Sequence, residues 1–170
     1  MILLGLGSNL SSSYGNRFKN IDLAVLFLKD HGIKIKKRSS FYESLSYPEK
    51  NNPKFINIVI GIETDLSPEH LASVLIVVEE SLERKRKRKN DPRTCDIDIL
   101  DYNHQILKFK CKNLDFIVPH EKLVNRNFVL LPLQEILPEW KHPTSKEHIS
   151  ILIDRLSIED KKSILKITKF

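Results

Sequence analysis

A chain of 170 residues, 41% apolar and 29% charged, is long enough for one domain with a real core and has ordinary globular composition. No apolar run approaches the ~20 residues a membrane span requires, and the opening residues turn polar too soon for a secretory signal, so a cytoplasmic protein with no membrane partner is expected. Cys95 and Cys111 make neither a disulfide framework nor the paired spacing of a zinc site, and read as small packing residues.

Met1 to Leu6 is a short apolar run ending at Gly7, Ser8 and Asn9, which predicts a first strand and a tight turn. Gly5 and Gly7 lack the spacing of a dinucleotide-binding fingerprint and are assigned to the turn. From Asn16 on, Phe18, Ile21, Leu23, Ala24, Leu26, Phe27 and Leu28 suit one helical face, and Gly32 stands as a stop signal. Residues 33–42 read as a half-exposed second strand, and 43–54, with Pro48, Asn51, Asn52 and Pro53, as a loop. Residues 55–64 alternate Ile56, Ile58, Ile60 and Ile62 with Phe55, Asn57, Val59 and Gly61, which predicts a third strand antiparallel to the second. Asn57 interrupts an apolar series; a buried amide needs partners, so it is either a satisfied core residue or a ligand contact.

Ser67 as N-cap, Pro68 at the first helical position and Glu69 in the first turn start a second helix, which runs to about Leu82 on a stripe of Leu71, Val74, Leu75, Val78 and Leu82. Glu79, Glu80 and Glu83 crowd its C-terminal turn, where the helix dipole favours cations, and the basic stretch that follows is expected to compensate. Further on come a strand from Asp96, a hairpin around Asn103 and His104 with a return strand at 105–109, a strand at 114–118, and helices at 128–137 and 145–156. Residues 1–156 are expected to form the domain and 157–170 a peripheral, Lys-rich tail. The order strand, helix, strand, strand, helix, strand predicts an α+β fold, a ferredoxin-like β-α-β-β-α-β sandwich with extra C-terminal strands and helices.

Charge is distributed unevenly. Arg84 to Arg93 carry seven Lys/Arg and one Asp, whereas the other 160 residues carry 21 Lys/Arg and 21 Asp/Glu, so the whole formal +6 sits in one short loop. Asp96 and Asp98 follow at once, within a β-branched apolar run whose alternation puts both carboxylates on one face. Two neighbouring acids repel, and a bound divalent cation compensates them. Cations beside a metal site suit polyphosphate. The plainer alternatives are a solvated loop and a chance D-x-D on a polar strand face.

Several segments in order resemble the 6-hydroxymethyl-7,8-dihydropterin pyrophosphokinase family: LGLGSNL from Leu4, SSFYES from Ser39, FIN from Phe55, PRTCDIDIL from Pro92, VPH from Val118 and NRNFVLLPLQEILPE from Asn125. They span roughly residues 3 to 140. Glu83 departs from the family's Gly, Asn90-Asp91 from the usual residues before its Pro-Arg, and Tyr47-Pro48 from the usual start of its pterin loop.

The resemblance implies transfer of pyrophosphate from ATP, the co-substrate, to a pterin alcohol in folate biosynthesis. It implies two Mg²⁺ on Asp96 and Asp98, with Arg84 and Arg93 joining them as catalytic residues and Arg84, Arg86 and Arg93 clamping phosphate. Glu79, His120 and Arg126 match positions at the nucleotide. Phe55 and Phe128 are the expected aromatic faces for the pterin, with Asn57 at its edge and Ser44, Leu45 and Tyr47 beside it. Lys85, Lys87, Arg88 and Lys89 are left to solvent, and residues 84–91 are expected to close over the ligands. Small-molecule substrates, no nucleic acid and a monomer follow. A single-stranded nucleic-acid binder would account for the charge but needs exposed aromatics on adjacent strands, which FINIVIGIE does not offer. A degenerate regulatory subunit would not be expected to keep Asp96, Asp98, Asn57, Arg93 and His120.

Overall fold

The computed structural model describes the chain except for Tyr47, Pro48, residues 87–90, Lys169 and Phe170. Tyr47, one of the expected pterin contacts, and the middle of the basic loop expected to close therefore lie outside the described residues. The first half runs β1 (Ile2–Ser8), α1 (Arg17–Asp30), β2 (Lys34–Arg38), β3 (Phe41–Ser44), β4 (Phe55–Glu63) and α2 (Pro68–Ser81). The second half runs β5 (Asp96–Tyr102), β6 (Leu107–Cys111), β7 (Leu114–Val118), a 3-10 turn at Leu123–Asn125, α3 (Asn127–Ile136), α4 (Ile149–Asp154), α5 (Ile158–Lys162) and β8 (Ile164–Ile167).

The central sheet is antiparallel and ordered β5-β1-β4-β3-β8, with β2 also paired to β4. If β2 and β3 are counted as one broken strand, this is the ferredoxin-like order the sequence predicts. Ile2, Leu4 and Leu6 of β1 point with the isoleucines of β4 into the main core beneath α1 and α2. Leu3, Val59 and Leu100 lie on the opposite face and pack with Val129, Leu130 and Leu133 of α3 and Leu152 of α4. Both long helices have the ends their sequences announce: Asn16 caps α1, Gly32 follows it at φ +79°, and Ser67 caps α2 with Pro68 next.

Four expectations are corrected. The predicted second strand is two, because at Ser39 the hydroxyl accepts the Val59 N–H at 3.0 Å where a strand would offer a carbonyl, and the chain bends there. The return strand after the Asn103-His104 turn does not extend β5 beyond one bridge at Gln105; β6 pairs with β7 in a separate hairpin, whose Leu107, Phe109 and Phe116 pack against the α2 side of the core. The helix expected over 145–156 is confined to α4, since 142–147 form a hydrogen-bonded turn. The tail from Ser157 is not peripheral. It makes α5 and then β8, which pairs with β3 and becomes an edge of the main sheet.

A fully buried carboxylate, Asp101, ties the end of β5 to the chain beyond α3. Its Oδ2 accepts the Trp140 Nε1 hydrogen at 2.9 Å and its Oδ1 the His104 N–H at 2.7 Å. Trp140→Phe keeps the ring but removes the donor, and should lower the unfolding free energy by about 1–3 kcal/mol in urea titrations, the cost of leaving a buried polar group short of a partner.

Candidate active site

The site lies at the β5 end of the sheet, where residues of α2, β7 and the loop before β5 line a cavity beside Asp96 and Asp98. Strand register assembles it: Gly7 of β1 stands opposite Asn57 of β4 on one side and Asp96 of β5 on the other, and Gly5 stands between Val59 and Asp98. Directly paired residues share a face. The amide expected at the pterin and the carboxylates expected at the metal therefore rise from one surface, two strand spacings or ~10 Å apart. A Cβ on Gly7 would come within 3.2 Å of Asn57 Oδ1 and 3.4 Å of the Phe55 ring, so glycine here lets both side chains lie close over β1.

Around the carboxylates the charges are already interlocked. Arg84 Nη1 reaches Asp96 Oδ1 at 2.5 Å, and Arg93 Nη2 reaches Asp96 Oδ2 at 2.6 Å. Burial pushes the Asp96 carboxyl up, but the two guanidiniums outweigh it and hold the group well below the usual carboxylate range. Arg84 and Arg86 also bond Glu79, a residue of α2 that is 2% exposed and accepts the Ile97 N–H at 2.7 Å. Asp98 accepts Arg126 Nη1 at 3.1 Å and has His120 Nε2 at 3.8 Å. Burial lowers the His120 pKa although Asp98 pulls the other way. The expected mutual repulsion of the two acids is relieved by separate arginines.

These side chains line a cavity of about 540 Å³, together with Leu75, Asp91 and Phe116. All the residues expected at the nucleotide and metal are brought together there. The pterin residues lie alongside. Asn57 donates to Ser44 Oγ at 2.9 Å and to the Tyr42 carbonyl at 3.3 Å, and the Arg93 guanidinium sits 5.1 Å from the centre of the Phe55 ring. Arg126 sits 5.5 Å from the centre of the Phe128 ring. Each of these arginines thus spans one acid and one aromatic. Leu45 follows Ser44 with an exposed side chain.

Two carboxylates at i and i+2 suit Mg²⁺, which takes one or two protein carboxylates and completes its shell with water and substrate phosphate. Among the described residues no third His, Cys, Asp or Glu joins them in a metal cluster. Arg93 Nε is also buried without a hydrogen-bond partner among the described residues.

Asn9, read from sequence only as a turn residue, links the two halves of the site. Its Oδ1 accepts the Arg93 N–H at 2.7 Å, its own N–H donates to the Arg93 carbonyl at 3.0 Å, and its Nδ2 donates to the Pro53 carbonyl at 3.1 Å. The signal was two polar residues, Ser8 and Asn9, at the end of an apolar strand, and both are buried. Glu83 occupies the position after α2 at φ +66°, and its carboxylate accepts the Ser13 N–H at 3.0 Å and the Ser13 hydroxyl at 2.5 Å.

A family model described as 7,8-dihydro-6-hydroxymethylpterin-pyrophosphokinase matches residues 3–138. The chain belongs to this family. It is 37% identical to the 2-amino-4-hydroxy-6-hydroxymethyldihydropteridine pyrophosphokinase of Aquifex aeolicus, over 84% of this chain and 83% of that one. It is 34% identical to a folic acid synthesis protein of Pneumocystis carinii over 96% of this chain, but spans only 21% of that longer protein. Among solved structures, Plasmodium falciparum HPPK-DHPS superposes over 99% of this chain and 46% of its own, with a TM-score of 0.76 at 17% identity, which is a likeness of fold.

Glu79 carries a testable pH signature. Burial raises its pKa from 4.5 to about 7, against the pull of Arg84. Between those values the folded protein holds a proton that the unfolded chain has released, so this group's contribution to stability falls as pH rises from 4.5 to 7. Over that interval the loss amounts to at most about 3 kcal/mol. Glu79→Gln keeps the acceptor for Ile97 and should flatten this part of the pH dependence in urea titrations run from pH 5 to pH 8; a slope that survives unchanged would assign it to another group.

Proposed function

We propose that the protein transfers pyrophosphate from ATP to 6-hydroxymethyl-7,8-dihydropterin, giving AMP and the pterin pyrophosphate in folate biosynthesis. What supports the reading is the register of β4, β1 and β5, in which Asn57 stands across Gly7 from Asp96, on the same face of the sheet as Asp98. Family membership and the 37% identity to the Aquifex aeolicus enzyme support it.

Asp96 and Asp98 would hold two Mg²⁺ shared with the ATP phosphates. Those ions supply charge neutralisation and alignment of the phosphates, which dominate phosphoryl-type transfer. The protein side of the reaction is binding and orientation. Arg84, Arg86 and Arg93 exchange carboxylate for phosphate oxygen as the nucleotide enters, and His120 and Arg126 take the phosphates or sugar from the β7 side. Asn57 and Ser44 bond the pterin edge, while Phe55 and Phe128 hold its plane, so the hydroxymethyl oxygen faces the β-phosphorus. That oxygen bonds to the β-phosphorus as the bridge from the β- to the α-phosphorus breaks, AMP leaves with the bonding electrons, and the hydroxyl proton passes to solvent.

Arg84 and Arg93, at the two ends of the basic loop, favour this reading over nucleic-acid binding, because both are turned inward onto Asp96 with side chains only 10% and 22% exposed. The proposal extends to a cytoplasmic monomer. The substrates are small and soluble, and no described helix is long and apolar enough to cross a membrane.

Incubation with Mg²⁺, ATP and the pterin should yield AMP and the pterin pyrophosphate in equal amounts by chromatography; ADP with a pterin monophosphate would overturn the reading. Asp98→Ala should lower turnover by about a thousandfold with a melting temperature close to that of the wild type, since its partners keep water access and the loss falls on positioning and charge. Asp96→Ala should lose activity and melt lower as well, because it leaves Arg84 and Arg93 without their shared carboxylate.

A further inference from the structure

The family match ends at residue 138, yet the chain continues into α5 and β8, and these return to the pterin side of the sheet. Three contacts matter. First, β8 pairs with β3 so that Ile164 stands beside Ser44 and Lys166 beside Tyr42, the two residues whose hydroxyl and carbonyl accept the Asn57 amide. Second, Lys166 Nζ lies 3.3 Å from Glu135 Oε1, and Glu135 in turn accepts the Tyr42 hydroxyl at 2.7 Å and the Ser40 hydroxyl at 2.8 Å. Third, Asn127 donates to the Asp160 carbonyl at 2.6 Å and to Ser163 Oγ at 2.9 Å, and Asn127 directly precedes Phe128.

The segment therefore grips both sides of the space between Asn57 and Phe128. One side is β3, a strand of only four residues that follows a bend and precedes a long loop. Short edge strands are weakly held, and β8 gives β3 a second hydrogen-bonded neighbour. The other side is the first turn of α3, whose N-cap, Arg126, makes no side-chain capping bond, so Asn127 and its α5 partners set where that turn begins.

We propose that residues 157–167 are a positioning element for the pterin: through β3 and Glu135 on one side and Asn127 on the other, they set the separation between the Ser44–Asn57 edge and the Phe128 face. This rests on the pterin reading of the site. None of the three contacts involves Asp96, Asp98, Arg84 or His120, and of the residues assigned to the nucleotide only Arg126, the neighbour of Asn127, adjoins them.

The discriminating experiment compares the wild type with a chain ending at Leu156 and with full-length Asn127→Ala, after circular dichroism has established that each is folded. With ATP saturating, pterin KM should rise about tenfold or more in both variants, while kcat and the Kd of a non-hydrolysable ATP analogue stay within about threefold, since misplacing a substrate-holding group by a fraction of an ångström is costly. In the ligand-free proteins, amide exchange should accelerate over 41–44 and 127–131 and not over 96–100. Unchanged pterin KM in a folded variant, or equal loss of pterin and ATP binding, would overturn the proposal. The exchange measurement needs no turnover, so unchanged protection at both walls overturns it even if the pterin reading fails, and Asn127→Ala decides the matter if the shortened chain does not fold.

Discussion

Everything in the site depends on two absent side chains. Gly5 and Gly7 alternate with Leu4 and Leu6 along β1, so the strand is fully apolar toward the core and bare toward the opposite face. Between β4 and β5, Asn57 and Phe55 lie close over Gly7 and Leu100 lies over Gly5, while Asp96 and Asp98 are the β5 partners of the two glycines. Larger residues would fill the floor, as Leu3 and Leu100 do where α3 covers the sheet. The closed and open halves of one surface thus differ by the size of the residues in the middle strand.

Above that floor the electrostatics are balanced internally. Glu79 and Asp96 are bridged by Arg84, and Arg86 and Arg93 add one contact each, so acids and guanidiniums alternate through the cluster. A buried acid with a pKa near 7 next to one held far below 4 shows how environment separates like groups within a few residues: Glu79 answers chiefly to desolvation, Asp96 to its two cations. A phosphate entering such a cluster would replace existing partners of Arg84, Arg86 and Arg93. This arrangement favours discrimination by geometry over simple accumulation of anions.

Local chemistry made much of this legible in the sequence. Helix caps at Asn16 and Ser67, the alternation of β4 and the D-x-D on β5 each express their structure within a few residues, and the structure keeps them. What escaped depends on partners distant in sequence. Ser39 breaks a strand because its hydroxyl meets Val59; Asn9 joins Arg93 to Pro53; β8 is a strand because β3 offers it an edge. Periodicity reports which face a residue presents, and says nothing of the particular group waiting there. Residues 164–167, with Lys between Leu and Ile, carry little pattern of their own and take their form from the sheet they join.

Glu83 shows a different kind of dependence. Its backbone is in the left-handed region, where a side chain is costly and where the family resemblance would place glycine. The two hydrogen bonds to Ser13, which also hold its carboxyl below the ordinary pKa, are what the side chain returns for that cost. Once glutamate is present, loss of the Ser13 hydroxyl leaves the strained backbone with less compensation, whereas reversion to glycine first leaves Ser13 free to vary. Substitutions at these two positions, 70 residues apart in sequence, should therefore accumulate in a preferred order along any lineage that carries the pair.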